Sequence, residues 1–164
     1  MENIKLNLGC DNFKLGGFIN IDINPKVHPD ICMNLLDLDK KFEANSVDFI
    51  FAGHVLEHLP YEQSLDVLKK CYRILKSNRI ILIIVPDYTK CSDLDIGTAE
   101  RVILGQGSHE ILFDSKRLGS MLSASNFVYN QQLQDLKKIP YMLVSNIRDP
   151  KPDPWQTSFM GLKI

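Results

Sequence analysis

The chain lacks the features of a disulfide-rich, zinc-binding or membrane-spanning protein. Its four cysteines are widely spaced and form no C-x-x-C pair: Cys10, Cys32, Cys71 and Cys91. Neither a disulfide framework nor a structural zinc site is therefore expected. No apolar run approaches the roughly 18 residues that a membrane-spanning helix needs, and the first residues contain no signal-peptide core. We expect reduced thiols, a cytoplasmic location and no membrane contact.

The chain also lacks an excess of charge of either sign. Nineteen Lys and Arg residues nearly balance 20 Asp and Glu residues, for a net charge of −1. Proteins that bind nucleic acid cluster their basic residues, and no such cluster occurs here, so no nucleic-acid partner is predicted. The 164 residues, 45% of them hydrophobic, suffice for one domain with a substantial core. We expect a single domain over residues 1–164.

A glycine turn between two short apolar runs is the most informative segment. Residues 4–8 alternate apolar side chains as a strand does, and Gly9 then frees the backbone to turn tightly beside a ligand. A second strand, residues 18–21, leads directly into Asp22. A carboxylate at the end of the second strand of an α/β sheet can accept hydrogen bonds from two ribose hydroxyls. The segment predicts a nucleoside-bearing cofactor.

Strands and helices alternate along most of the chain, which predicts a parallel sheet with right-handed crossovers. The predicted strands are 4–8, 18–23, 30–34, 47–52, 79–85, 127–133 and 157–163, and the predicted helices are 61–76, 97–104 and 115–125. Asn78 is expected to end the first of these helices in a left-handed conformation. Gly16 and Gly17 predict a turn and a single helical turn between the first two strands. Four prolines predict mostly loop over 134–156.

Four segments in this order resemble the class I S-adenosylmethionine (SAM) dependent methyltransferases, of the type 11-like group. They are residues 6–22 with the glycine turn and Asp22, 45–50 (NSVDFI) with 54–59 (HVLEHL), 72–76 (YRILK), and 81–87 (ILIIVPD). The resemblance implies a Rossmann-like α/β fold with helices on both faces of a seven-stranded, mostly parallel sheet. The implied strand order is 3-2-1-4-5-7-6, with strand 7 antiparallel. SAM is the implied cofactor and S-adenosylhomocysteine its product.

The resemblance also implies a set of cofactor-binding residues. They are Asn7, Leu8, Gly9, Cys10, Asp11, Asp22, Ile23, Asn34, Leu35, Leu36, Gly53 and His54. The main chain around Gly9 would lie beside the methionyl part of SAM, with Cys10 as a packing residue. Asn34 stands where the family often has an Asp that contacts the adenine amino group, with Asp37 as the competing candidate. Leu35 and Leu36 would cover the adenine ring and offer it a backbone N–H.

The candidate catalytic residues are His58, Asp87 and His109. Asp87 follows the fifth strand, where an acceptor would bind, and His109 lies in a glycine-flanked loop. Each could remove a proton from an acceptor, and Glu57 could do so as well. For Glu57 and His58, a structural role at the start of a helix is an equally good interpretation. No metal is predicted, because the H-E-x-x-H zinc motif needs Glu directly after the first His, and here the order is H-V-L-E-H.

Three departures from the family pattern qualify the functional prediction. One is Ser77-Asn78, which stands after the predicted helix 61–76 where the family usually has a glycine pair. Asp11 stands where the family usually has a second glycine, and it brings a negative charge near the carboxylate of SAM. Asn34 replaces the usual acid. We expect methyl transfer to a small-molecule acceptor, and the alternative is a degenerate, non-catalytic protein of the SAM-binding fold. A nicotinamide-dependent oxidoreductase is disfavoured, because the chain has no G-x-G-x-x-G motif.

Overall fold

The computed structural model describes residues 3–132 and 156–164, which form an α/β fold around a seven-stranded sheet. The strands are β1 (Lys5–Leu8), β2 (Ile19–Asp22), β3 (Ile31–Cys32), β4 (Val47–Gly53), β5 (Leu75–Pro86), β6 (Val128–Gln132) and β7 (Gln156–Lys163). Their order across the sheet is β3-β2-β1-β4-β5-β7-β6. The strands from β3 to β5 pair in parallel, and β7 pairs antiparallel with both β5 and β6. The predicted strand order and the antiparallel seventh strand are confirmed.

Four α-helices in the described part of the chain join these strands: α1 (Leu38–Lys41), α2 (Tyr61–Ile74), α3 (Ile96–Leu104) and α4 (Ser115–Ala124). The three helices predicted from apolar periodicity are α2, α3 and α4. Five short 3-10 helices among the described residues were not predicted: Pro25–Val27, Leu35–Asp37, Leu56–His58, Tyr88–Lys90 and Gly105–Gly107. No described helix is long and apolar enough to cross a membrane.

The two faces of the sheet bury different apolar clusters, because alternate strand residues point to opposite faces. On one face, Ile50 and Ile83 join a large cluster that includes buried side chains from α1, α2 and α4. On the other face, Phe51 and Leu82 pack with Leu15 and Phe18, which come from the segment between β1 and β2. No helix residue of the described chain belongs to this second cluster. The central strands β4 and β5 are thus buried on both sides.

The segment between β1 and β2 contains turns and no helix, so the predicted single helical turn there is wrong. A side-chain network fixes the segment instead. Buried Asn20 accepts hydrogen bonds through Oδ1 from the Asn7 side chain, at 2.9 Å, and from the backbone N–H of Leu15, at 2.8 Å. The Asn7 amide also donates to the Phe13 carbonyl, at 2.8 Å. These bonds satisfy polar groups that a helix would have satisfied within its own backbone.

The end of α2 also differs from the prediction. The helix stops at Ile74, and Leu75 is already extended, with φ −67° and ψ 139°. Asn78 has the expected left-handed φ, 59°, but it lies within β5. There the pairing of β5 with β4 shifts register between Val47 and Phe49. The interval predicted as loop, 134–156, lies outside the described residues apart from Gln156, which begins β7.

Asp48 anchors the amino-terminal ends of β1 and β4. Its carboxylate accepts hydrogen bonds from the Ile4 N–H, at 3.0 Å, and from Lys76 Nζ, at 2.7 Å, and Arg79 Nε lies 3.5 Å away. Burial alone would raise the pKa of Asp48, but these hydrogen bonds and the two positive charges hold it below its ordinary value of 3.8. The folded state therefore favours the ionised carboxylate.

Asp48→Asn should lower the free energy of unfolding at neutral pH by about 1.5–3 kcal/mol, the usual value of hydrogen bonds to a charged group. Because the folded-state pKa is depressed, the stabilisation by Asp48 is complete above the unfolded-state pKa and is lost as pH falls through the folded-state value. The free energy of unfolding, measured with urea between pH 7 and pH 3, should therefore fall less steeply with decreasing pH in the variant than in wild type. Asp66, whose side chain is half-exposed and lies 3.7 Å from Lys70, gives a control, Asp66→Asn, with little effect. Parallel pH profiles for wild type and Asp48→Asn would contradict this role.

Candidate functional site

A cavity of about 970 Å³ opens at the carboxyl ends of the parallel strands. It lies where β1 and β4 are neighbours and the strand order changes direction, the position at which open α/β sheets bind ligands. Predicted site residues that line it are Gly9, Cys10, Asp11, Asp22, Ile23, Asn34, Leu35, Gly53, His54 and His58. The cavity thus collects residues from the ends of four strands.

Gly9 forms the turn that brings the backbone to the cavity. Its φ is +61°, a left-handed conformation that side chains rarely adopt. A Cβ atom at this position would also lie 2.4 Å from Cγ2 of Val55. Both the backbone angle and the contact with the segment after β4 therefore require glycine. The close approach of these two segments forms the cavity wall between β1 and β4.

Asp22 connects the glycine turn to the end of β2. Its Oδ2 accepts a hydrogen bond from the Asp11 N–H and its Oδ1 accepts one from the Asn24 N–H, both at 2.8 Å. Each carboxylate oxygen has a second lone pair, and Asp22 lines the cavity, so two further acceptor positions remain for a ligand. Asp22 therefore holds the loop after β1 in place and can also bind the hydroxyls of a ligand.

Cys10 is 3% exposed although it lines the cavity. Burial, followed by the negative charge of nearby Asp22, raises the pKa of its thiol above the ordinary value. The thiol therefore stays protonated at neutral pH, and a thiolate is the form that acts as a nucleophile. Cys10 can contribute packing and main-chain contacts to the site, as the sequence predicts.

At the third strand, the structure separates the predicted adenine contacts. Asn34 and Leu35 line the cavity, whereas Leu36 packs against the apolar core. The Leu36 N–H donates to Asn34 Oδ1 at 2.9 Å, so that N–H is engaged in the 3-10 turn and is not offered to a ligand. The competing candidate, Asp37, pairs with Lys40 and does not line the cavity.

His54 has a strained backbone and an ordered side chain. Its φ is +54°, unusual for a non-glycine residue and frequent at functional sites. Its Nδ1 lies 3.0 Å from Glu57 Oε1, and its Nε2 lies 2.8 Å from Gln156 Nε2. An amide nitrogen can only donate, so His54 Nε2 accepts from Gln156 and Nδ1–H donates to Glu57. These two contacts fix the ring at the cavity wall.

Other predicted site residues lie away from the cavity lining. Leu8 is buried in the core, and the Asn7 side chain serves the network with Asn20.

Asp87, fully buried, caps the 3-10 helix Tyr88–Lys90 by accepting from the Thr89 N–H at 3.1 Å. Its other oxygen lies 3.6 Å from Lys90 Nζ. Because these neighbours surround the carboxylate, Asp87 is placed as a structural residue. His109 packs against His58 behind the lining.

Sequence reasoning missed several lining residues: Phe13, Phe51, Val55, Leu59, Gln63, Ile84 and Gln156. Strand alternation gives a signal for Phe51, because it shares a face with Gly53. A Cβ atom on Gly53 would lie 2.6 Å from Cζ of the Phe51 ring. Gln156 has no local signal, since only the antiparallel pairing of Pro86 with Gln156 brings it to this edge of the sheet.

Comparison with known proteins agrees with this architecture. Residues 16–83 match the sequence model of a family described as a methyltransferase domain, and no curated protein matches the sequence of the chain. A SAM-dependent methyltransferase from Archaeoglobus fulgidus is 16% identical with a TM-score of 0.68, over 98% of this chain and 86% of that one. A SAM-dependent methyltransferase from Methanosarcina mazei is 15% identical with a TM-score of 0.66, over 100% of this chain and 94% of that one.

At this level of identity, the structural similarity shows a common fold, the class I methyltransferase fold. The sequence match to the methyltransferase-domain family is confined to residues 16–83, and the solved structures add the fold of the class I SAM-dependent methyltransferases. That family implies SAM as the cofactor. The cavity fits such a molecule: it has the volume of a cofactor site, a glycine turn that a Cβ atom would block, and a carboxylate at the end of β2.

Asp11→Gly should tighten SAM binding by roughly 1 kcal/mol, the energy of one like-charge interaction at a solvated site. Asp11 lines the cavity with a left-handed φ of 40°, which glycine adopts without strain. Dissociation constants measured by calorimetry at low and high salt check this. Weaker binding in the variant, most evident at low salt, would instead mean that Asp11 pairs with the ammonium group of SAM.

Proposed function

We propose that the protein transfers the methyl group of SAM to a small-molecule acceptor. The observation that supports this best is the continuity of the cavity. It extends from the glycine turn and Asp22, the proposed cofactor side, to His58, Leu59 and Gln63, the proposed acceptor side. One cavity that holds both reactants can orient them for direct transfer, and orientation supplies much of the rate enhancement of such reactions. We propose residues 1–164 as one such domain in the cytoplasm.

Each cofactor-side residue has a proposed role. Asp22 binds the ribose hydroxyls, and the main chain of Gly9 and Cys10 lies along the methionyl part. Leu35 and Ile23 supply apolar contact for the adenine ring, and Asn34 borders it. When bound, SAM supplies an electrophilic methyl group on its sulfonium. His54 closes the cavity at the end of β4, where its contacts with Glu57 and Gln156 keep the ring from moving.

The charge of the chain and the residues on the acceptor side support a small-molecule acceptor. The chain has a net charge of −1 and no cluster of Lys and Arg, which disfavours the phosphate backbone of a nucleic acid. The residues on the acceptor side combine an imidazole, an amide and an aliphatic side chain, His58, Gln63 and Leu59. This mixture suits a compact molecule with hydrogen-bonding groups.

A non-catalytic SAM-binding protein is the second candidate, and a specific observation favours it. Asp87, one of the acids predicted as a catalytic base, is fully buried and engaged in capping. Both ring nitrogens of His54 have partners as well. Methyl transfer requires no general base when the acceptor needs no early loss of a proton.

Turnover separates the two candidates. Purified protein is incubated with SAM and either a small-metabolite extract or RNA and protein fractions, and S-adenosylhomocysteine is quantified by mass spectrometry. The proposal expects product with the small-metabolite extract and a matching methylated compound. Binding of S-adenosylhomocysteine without turnover in any fraction would support the non-catalytic candidate. Turnover only with RNA or protein would overturn the proposed acceptor class.

A further inference from the structure

Two histidines and a glutamate from distant segments meet beside the acceptor side of the cavity. Glu57 and His58 belong to the 3-10 helix Leu56–His58, and His109 follows the 3-10 helix Gly105–Gly107. Each of the three offers one potential ligand atom, and these atoms lie within 4.8 Å of one another. His58 is also part of the cavity lining. The cluster thus borders the space in which the acceptor is proposed to bind.

The hydrogen bonds of both imidazoles leave the same nitrogen available. His58 Nδ1 lies 3.1 Å from the Ser108 carbonyl oxygen, and His109 Nδ1 lies 3.0 Å from the Ile103 carbonyl oxygen. A carbonyl oxygen only accepts, so each Nδ1 carries the hydrogen and each neutral ring has its lone pair on Nε2. Metal-binding histidines commonly have this arrangement, in which a backbone carbonyl fixes the tautomer and the ring orientation.

Glu57 supplies an independent observation that points to a ligand. The residue is 1% exposed, and its Oε2 is buried without a hydrogen-bond partner among the described residues. Its Oε1 accepts from His54, so the carboxylate is oriented by one oxygen and unsatisfied at the other. A buried unpartnered carboxylate oxygen costs free energy, and a bound ion is a standard reason for one.

The two segments are joined by backbone hydrogen bonds, so the cluster is held in place before any ion binds. The Glu57 carbonyl accepts from the Glu110 N–H at 2.7 Å and from the Ile111 N–H at 3.2 Å. Gly105 makes room for the third ligand, because a Cβ atom there would lie within 2.4 Å of His109 Nε2. The position of His109 beside Glu57 therefore follows from the local fold.

We propose that Glu57, His58 and His109 bind a divalent transition-metal ion. Two imidazoles and one carboxylate suit zinc, cobalt, iron or manganese and leave coordination positions open. A tetrahedral set at about 2.1 Å brings ligand atoms to roughly 3.4 Å from one another. The three ligand atoms must therefore move closer together to bind an ion, and the exposed ring of His58 can make that movement. The linear H-V-L-E-H motif does not predict the site, because the third ligand comes from beyond α3.

His58 lines the cavity, so an ion bound to it would lie beside the proposed acceptor. A cation there can hold an oxygen or nitrogen lone pair of an acceptor and favour its deprotonated form. Under this arrangement His58 and His109 are ligands and positioning groups, and neither is a general base. The role of the ion in acceptor binding rests on the proposed function, whereas metal binding itself does not.

The test is a titration of metal-free protein, without SAM, with Co²⁺ followed by visible absorption, and with Zn²⁺ as the competitor. Wild type should bind one cobalt ion that zinc displaces. His58→Ala and His109→Gln should each weaken the dissociation constant at least tenfold. The control is His28→Asn, which removes an exposed histidine outside the cluster and keeps a residue that tolerates the left-handed φ of 50°.

Two results would overturn the proposal: no cobalt binding by wild type up to millimolar concentration, or equal binding by wild type and His58→Ala. His58 is exposed, so its removal leaves the core intact, and thermal melting of each variant verifies the fold. Calorimetry with S-adenosylhomocysteine on the same metal-free protein tests the cofactor site separately. Failure of the metal site and failure of the proposed function are therefore distinguishable.

Discussion

Gly9→Ala should weaken binding of S-adenosylhomocysteine roughly tenfold or more and lower the free energy of unfolding by about 2–4 kcal/mol. The new methyl group would meet the Val55 side chain at 2.4 Å, and the backbone would have to hold alanine at a φ of +61°. Relief of either conflict moves the turn that lines the cavity. Calorimetric dissociation constants and urea unfolding curves of the variant measure the two effects.

Two other glycines provide matched controls for Gly9→Ala. At Gly16, where φ is not positive, a Cβ atom would meet no described atom within 4 Å, so Gly16→Ala should change neither quantity appreciably. At Gly107 the φ is +85° with no described atom in reach, so Gly107→Ala shows the backbone strain without the collision. If Gly9→Ala lost no more affinity or stability than Gly107→Ala, the contact with Val55 would not shape the cavity.

Asp22→Ala should weaken binding of S-adenosylhomocysteine by about 1.5–3 kcal/mol, the usual value of hydrogen bonds to a charged group. The carboxylate accepts from the N–H groups of Asp11 and Asn24, and the proposed ribose hydroxyls would use its remaining lone pairs. Removing it therefore takes away ligand contacts and also releases the loop after β1. Calorimetry gives the affinity, and thermal melting gives the accompanying loss of stability, which should be small.

Asp22→Asn separates the two roles of Asp22. Its amide oxygen can still accept one hydrogen bond, but its NH₂ group cannot accept from the Asp11 N–H. Intermediate affinity is expected for this variant. Asp66→Ala, which removes a half-exposed carboxylate of α2 paired with Lys70, controls for the change in net charge. An Asp22→Ala protein that is folded and binds as tightly as wild type would remove Asp22 from the cofactor site.

The sheet was predictable because its signals are local. Continuous apolar runs such as residues 80–85 are typical of strands buried on both faces, and β5 contains that run as expected. The glycine turn and Asp22 were predictable for the same reason, since each is tied to the end of one strand. The glycine turn and Asp22 both line the cavity because the strand order places the ends of β1 and β2 side by side.

The remaining parts of the site depend on contacts between distant segments. Gln156 reaches His54 only because β7 runs antiparallel beside β5. His109 reaches Glu57 and His58 only because backbone hydrogen bonds join the loop after α3 to the turn after β4. The loop between β1 and β2 is set by Asn20, an isolated polar residue within an apolar strand pattern. No periodicity in the sequence encodes such contacts.

Calorimetric titration of the protein with S-adenosylhomocysteine and, separately, with NAD tests the central claim most directly. A cofactor site made of the glycine turn, Asp22 and the end of β4 predicts saturable binding of S-adenosylhomocysteine at one site. It also predicts no binding of NAD, because the chain has no G-x-G-x-x-G motif to receive a pyrophosphate. Clear binding of NAD, with no heat from either SAM or S-adenosylhomocysteine, would contradict the account.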